Sequence, residues 1–299
     1  MNTPPNQKNS KNKRLTLLFL FLTTILWGTS FIITRTIVQE TPVFLYMSLR
    51  FFVAVLGFTP YFLHLKTLNK QIIIAGFISG FLYFLGIATQ TIGLVNTTAG
   101  KAGFITGLST VMVPFLSYLM FKKYFKNKIW IAAFLSIFGL GFLFLEGEKG
   151  IILGDLWVLI CAVFFALFII YNDKYVNKMN VYSYSIVQLN VVAGLSLITS
   201  LIFGESFIFG SKDFLFWIMI IYMGLGVTTL TFLFQNWSQQ YQGPATTAII
   251  FALEPVFAAL FGFIIGDEII TIFGWIGSIL IFTAIILTVI NKKEKKNEK

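Results

Sequence analysis

The sequence holds one cysteine, Cys161, and one histidine, His64, in 299 residues. An intramolecular disulfide and a cysteine-based metal site are excluded, and most zinc and histidine general-base chemistry goes with them. Charge is scarce as well, at 11% of residues against about 25% in soluble proteins, so a chain of this size has no polar skin to face water. No G-x-x-x-x-G-K-[ST] phosphate loop occurs, which removes ATP-driven chemistry by this chain alone. What is abundant is apolar: 57% hydrophobic residues, 35 phenylalanines and a mean hydropathy of +0.84. Disorder is incompatible with that composition, and the chain reads as an all-α integral membrane protein.

An apolar helix needs about 20 residues to cross the hydrocarbon core. Ten segments meet this length, the first five at Leu15–Thr36, Pro42–Leu63, Gln71–Ile92, Thr98–Phe121 and Ile129–Leu145. The other five are Leu153–Asn172, Tyr182–Phe203, Phe214–Trp237, Pro244–Ile265 and Thr271–Ile290. The first is longer than the roughly 7–15-residue core of a signal peptide and no A-x-A-like cleavage site follows it, so it is expected to be retained. Residues 1–14 form a basic tail, disordered over its first dozen residues, and 291–299 a second basic tail.

The formal net charge of +10 suggests nucleic acid until its location is read. Most basic residues lie in the two tails and in the loops holding Lys66/Lys70, Lys122/Lys123/Lys126/Lys128 and Lys174/Lys178. Acidic residues gather at the opposite ends of the segments: Glu40, Glu146, Glu148, Asp155, Glu205, Asp213, Asp267 and Glu268. That distribution predicts both termini on the cytoplasmic side and no nucleic-acid partner.

The halves 15–145 and 153–290 resemble each other. A displacement of 145 puts Gln90 on Gln235, Leu108 on Leu253, Val111 on Val256 and Trp130 on Trp275, and one of 138 puts Tyr46 on Tyr184. The basic pair Lys122-Lys123 then falls on the acidic pair Asp267-Glu268. Five spans is an odd number, so two such copies must be antiparallel, and inverted repeats around a midplane site are a common transporter architecture.

Several local patterns carry a family resemblance. They are Leu26-Trp27-Gly28-Thr29-Ser30-Phe31, Leu49-Arg50-Phe51, Thr98-Ala99-Gly100-Lys101-Ala102-Gly103-Phe104, Leu253-Glu254-Pro255-Val256-Phe257-Ala258-Ala259, Gly266-Asp267-Glu268 and Gly274-Trp275-Ile276-Gly277. Over residues 15–290 the chain resembles the ten-span EamA-type branch of the drug/metabolite transporter superfamily. The resemblance implies two inverted five-helix repeats and a carrier that moves small organic solutes by alternating access.

Ionisable groups inside a span face a cavity or a partner. Glu254 lies midway along the ninth segment beside Pro255, which removes a helical N–H and is expected to kink the helix. The carboxylate there suits a cation, a substrate ammonium or a proton, or serves the kink by bonding to a neighbouring helix. Arg50 suits a carboxylate or phosphate, or a fixed ion pair with Glu254. Gln90, Gln188, Asn190, Gln235 and Asn236 line a wet interior or bond helix to helix. Trp27, Tyr83 and Tyr171 are cavity candidates that packing explains as well. Pro114, within a turn of the place matching Pro255, is a second expected kink, and Lys101 is expected to snorkel outward. Gly76/Gly80, Gly103/Gly107 and Gly262/Gly266 are close-approach pairs.

The expectation is a secondary transporter of small metabolites, amino acids among them, in a bacterial cytoplasmic membrane. Its partners are a solute, the bilayer and a coupled proton, with no catalytic residue, cofactor or metal. A membrane enzyme acting on a lipid or small metabolite is the alternative. It would need a converging set of acid/base or metal-binding side chains.

Overall fold

The computed structural model describes residues 5–122, 124–144, 152–206, 213–266 and 272–289, all helical or connecting, with no strand among them. In chain order the first half holds α1 (Pro5–Val38), α2 (Val43–Gly57), a 3-10 segment (Thr59–Thr67), α3 (Lys70–Leu94), α4 (Ala99–Phe121) and α5 (Asn127–Phe144). The second holds α6 (Leu153–Val176), α7 (Val181–Ile202), α8 (Phe214–Ile221), a π-helical stretch (Tyr222–Leu230) and α9 (Thr231–Gln239). It ends with α10 (Pro244–Phe251), α11 (Glu254–Gly266) and α12 (Ile272–Val289).

Helices start where a side chain satisfies an orphan N–H. Asn69 accepts from the Ile72 amide at 2.9 Å, Thr98 from Lys101 at 3.2 Å, Asn180 from Ser183 at 3.2 Å and Asp213 from Phe216 at 2.9 Å. Pro42, before α2, offers no such acceptor. The Glu205 carboxylate supplies it instead, accepting from the Phe44 and Leu45 amides at 3.3 and 2.6 Å.

Among the described residues seven helices are long and apolar enough to cross a membrane, or eight if one bent pair counts as a single span. The chain is therefore a multi-pass membrane protein. The bent pair corrects the second expected span. α2 has 15 residues and turns by 75° into the 3-10 segment. At 1.5 Å per residue it rises only about 22 Å, and Pro60 at the start of the 3-10 segment supplies no N–H to continue the α-ladder. The fifth and tenth expected spans contain shorter apolar helices, Asn127–Phe142 and Trp275–Ala284. α1 begins at Pro5, so most of the stretch read as a disordered tail is helical. Residues 1–4 and 291–299, together with Lys123, Glu146, Glu148, Asp267 and Glu268, lie outside the described residues.

The packing pairs follow a pattern. α2 lies on α7 and α5 on α12. α3 packs on α6 as α9 does on α1, α4 on α6 as α11 does on α1, and α3 on α7 as the π-helical stretch does on α2. The largest buried cluster runs through this centre, from Leu20 and Phe51 to Tyr83, Phe168, Leu189 and Phe232. Gly76 and Gly80 face α7, where an added Cβ would stand 2.8 Å from the Gln188 carbonyl at Gly80.

Lys101 does not snorkel. Its ammonium pairs with Asp155 Oδ2 at 2.8 Å, and both side chains are buried. The carboxylate also accepts from the Thr97 hydroxyl at 2.5 Å and the Ile152 amide at 3.0 Å. The pair pins the first turn of α4 to that of α6. With the carboxylate's remaining acceptor sites filled by neighbouring donors, Lys101 has no need to reach for water. Removing one partner of such a pair strands a buried charge at about 3–5 kcal/mol, whereas removing both costs far less. Lys101→Met and Asp155→Leu alone are expected to unfold at clearly lower temperature in detergent, and the double variant to recover most of the loss. Parent-like melting of both single variants would refute this.

Candidate functional site

Eight helices converge on one cavity. Its wall includes Trp27 and Ser30 of α1, Arg50 of α2, Tyr83 and Gln90 of α3, and Thr106, Ser109 and Thr110 of α4. Phe165 and Phe168 of α6, Gln235 of α9, Phe251 of α10 and Glu254 of α11 complete it. The cavity measures ≈ 30 Å³, room for about two waters on the same measure.

Glu254 opens α11 directly after a break. α10 ends at Phe251, and the Leu253 amide reaches back only to the Ile250 carbonyl, at 3.0 Å. The expected kink at Pro255 is thus an interruption that brings the carboxylate to the cavity. Gly107 of α4 allows the break to sit close, since an added Cβ would stand 3.0 Å from Pro255 Cγ. Pro114 behaves differently and corrects the expectation of a matching interruption: α4 runs through it as one continuous helix. One missing N–H removes one rung, and the remaining rungs of α4 hold.

Among the described residues the buried Glu254 carboxylate has no hydrogen-bond or ion-pair partner, and the expected pairing with Arg50 is not made. Arg50 Nε donates to Thr228 Oγ1 at 2.9 Å, and the guanidinium carbon lies 5.4 Å from the Phe51 ring centroid. Its two terminal nitrogens are left for the cavity. Thr228 belongs to the π-helical stretch and donates in turn to the Met223 carbonyl, five residues back, at 2.7 Å. π-Helical geometry is rare and concentrates at functional sites. Here it aims the hydroxyl that orients Arg50.

The amides divide into two groups. Gln90 donates to Thr106 Oγ1 at 3.0 Å and lines the cavity. Gln235 lines it too, and among the described residues neither its nitrogen nor its oxygen has a partner. Gln188 and Asn236 do not reach the cavity. They belong to a buried network in which Gln188 donates to Asn172 at 2.8 Å and to Ser79 at 3.0 Å. Asn236 donates to Gln188 at 2.8 Å and to Ser185 at 2.7 Å, and Asn172 to Asn236 at 2.7 Å and to Gln239. This network ties α3, α6, α7 and α9 together. Asn190 is exposed and bonds its own helix at the Ile186 carbonyl, 2.8 Å away.

Of the aromatic candidates, Trp27 and Tyr83 line the cavity, and Trp27 Nε1 donates to Thr231 Oγ1 at 3.1 Å. Tyr171 is not part of the lining and packs on Tyr175, ring centroids 4.6 Å apart. Sequence reasoning missed the lining hydroxyls of Ser30, Thr106, Ser109 and Thr110, since such residues are common in any apolar span. It missed Asn172 because that residue was placed at the end of a segment, where a polar residue is unremarkable.

The two kinds of amide predict opposite responses. Gln188→Leu strands several buried partners and is expected to cost about 1–3 kcal/mol. Gln235→Leu strands none and should leave stability near that of the parent. Thermal unfolding in detergent checks this, and equal losses for the two variants would contradict the assignment.

A multi-pass helical protein with a partly unsatisfied polar cavity between its helices has the build of a membrane transporter. The profile of the EamA-like transporter family matches residues 14–145 and again residues 152–290. The chain belongs to that family. It is 32% identical to an uncharacterized transporter of Archaeoglobus fulgidus, over 90% of this chain and 83% of that protein. It is 24% identical to the uncharacterized transporter YoaV of Bacillus subtilis, over 94% of this chain and 98% of the other. A solved crystal structure superposes with a TM-score of 0.76 at 16% identity, covering 92% of this chain and 96% of that one, a likeness of fold alone.

Proposed function

We propose that this membrane transporter is a secondary carrier of ten spans, built as two inverted five-helix halves at 15–145 and 153–290. It moves small organic solutes, amino acids among them, across a bacterial cytoplasmic membrane by alternating access, with both termini cytoplasmic. The observation that carries the reading is the cavity itself. A carboxylate, a guanidinium and an amide face one cavity, with the carboxylate, the terminal guanidinium nitrogens and the amide unpartnered among the described residues.

The cavity lining supports the paired halves. Under the displacement of 138, Trp27 falls on Phe165 and Ser30 on Phe168; under 145, Gln90 falls on Gln235, Thr106 on Phe251 and Ser109 on Glu254. All ten residues line the same cavity, as expected of a site on a pseudo-twofold axis. The reciprocal packing of the helices points the same way.

A zwitterion fits the chemistry, its carboxylate on Arg50 and its ammonium on Glu254, with Trp27, Phe168 and Phe251 against an apolar side chain. At ≈ 30 Å³ the cavity is too small for such a solute, so binding must part the helices, as a carrier that rocks between two openings requires.

A thermal-shift screen of purified protein against a metabolite library, followed by uptake into liposomes, identifies the solute. Uptake is then measured with and without an imposed pH gradient. The parent is expected to respond to the gradient and Glu254→Gln to lose that response. Full activity with an unchanged gradient response in Glu254→Gln would remove Glu254 as the coupling group, and catalytic turnover without translocation would overturn the carrier reading.

A further inference from the structure

At the Lys-rich end of α4, away from the cavity, a groove of ≈ 350 Å³ is walled by Phe115, Tyr118, Leu119, Tyr124, Phe125 and Trp130. Its rings brace one another: Phe115 meets Trp130 edge-on at 4.8 Å, and Tyr118 meets Tyr124 at 5.3 Å. Phe115, Leu119 and Tyr124 are nonetheless exposed, so the groove opens outward from the bundle. Tyrosine and tryptophan in such a band mark the level of the lipid headgroups.

Two ammonium groups stand at this same end of α4, each held over a ring. Lys122 Nζ lies 5.7 Å from the Tyr118 centroid, and Lys174 Nζ, from α6, lies 4.9 Å from that of Phe121. Lys122 ends α4 in the left-handed conformation, φ 51°, which turns the chain back towards the groove. Neither ammonium has a carboxylate partner among the described residues. Lys126 and Lys128 add positive charge along the same loop. A neutral lipid would cover the rings and leave the Lys122 and Lys174 ammonium groups without a counter-charge; an anionic one answers both.

We propose that this groove is a binding site for one anionic phospholipid of the surrounding bilayer. Its phosphate lies between Lys122 and Lys174, and an acyl chain lies along Phe115 and Trp130. The site depends on membrane insertion and not on the transport reading, so it stands or falls separately.

The test uses the purified full chain in a neutral detergent and phosphatidylglycerol brominated on its acyl chains, which quenches nearby tryptophan. The Trp130 signal is taken as the difference between the parent and Trp130→Phe. Brominated phosphatidylglycerol is expected to quench that signal at lower concentration than brominated phosphatidylcholine of the same chains. Lys122→Gln and Lys174→Gln should each raise the required concentration about fivefold, or ~1 kcal/mol per lysine. Equal quenching by the two lipids, or no change in either lysine variant, would overturn the site. Release of the quenching by inorganic phosphate alone would also overturn it, since a free anion would then suffice.

Discussion

Hydrocarbon offers no hydrogen bonds, so each amide or charge carried into the bilayer must find its partner within the chain. Much of this structure follows from that demand. Lys101 is answered by Asp155 across two helix N-termini, and Asn172, Gln188, Asn236 and Gln239 answer one another across four helices. These contacts fix which helices lie side by side. The exceptions among charged and amide groups then stand out: Glu254, both ends of Gln235 and the terminal nitrogens of Arg50 face a single cavity. Hydroxyls left over elsewhere, such as Ser136 and Ser196, carry a much smaller desolvation cost than a carboxylate.

The membrane class, most of the span positions and the helix break at Glu254-Pro255 were legible from composition and local pattern, because each depends on residues close together in the chain. The sorting of the amides was not. Gln188 and Gln235 are both glutamines in apolar segments, and whether one is tied or free depends on partners from other helices, such as Ser79 for Gln188 at a separation of 109 residues. Lys101 was misread for the same reason, its carboxylate lying 54 residues away. The bend after α2 was missed because composition reports apolar length and not direction, although Pro60 marks where the α-ladder must stop.

Matched positions in the two halves do different work. The displacement of 138 that puts Tyr46 on Tyr184 also puts Arg50 on Gln188. Both tyrosine hydroxyls are bonded, Tyr46 to Thr34 and Tyr184 to Ser79, each at 2.9 Å. Gln188 is absorbed into the buried network, whereas Arg50 spends one nitrogen on Thr228 and turns the rest to the cavity. Gln90 and Gln235 split likewise, the first tied to Thr106 and the second free. In each of these two pairs one member is hydrogen-bonded to neighbouring helices, and the other leaves polar atoms unpartnered among the described residues at the cavity wall.

The π-helical stretch explains how Gln235 comes to be the available one. The caps of α3 and α8, Asn69 and Asp213, each accept from the amide three residues on, and they are 144 positions apart. Gln90 and Gln235, which meet in the cavity, are 145 apart. One extra residue therefore lies between cap and cavity in the second half, and a stretch wound i→i+5 absorbs it without breaking the helix. Continued α-winding from Asp213 would carry Phe234 to the place matching Gln90. Instead Phe234 stacks on Phe19 at 4.4 Å, outside the lining, and the amide faces inward. The same stretch supplies Thr228 to Arg50, so one local departure from α-geometry sets two of the polar groups at the cavity.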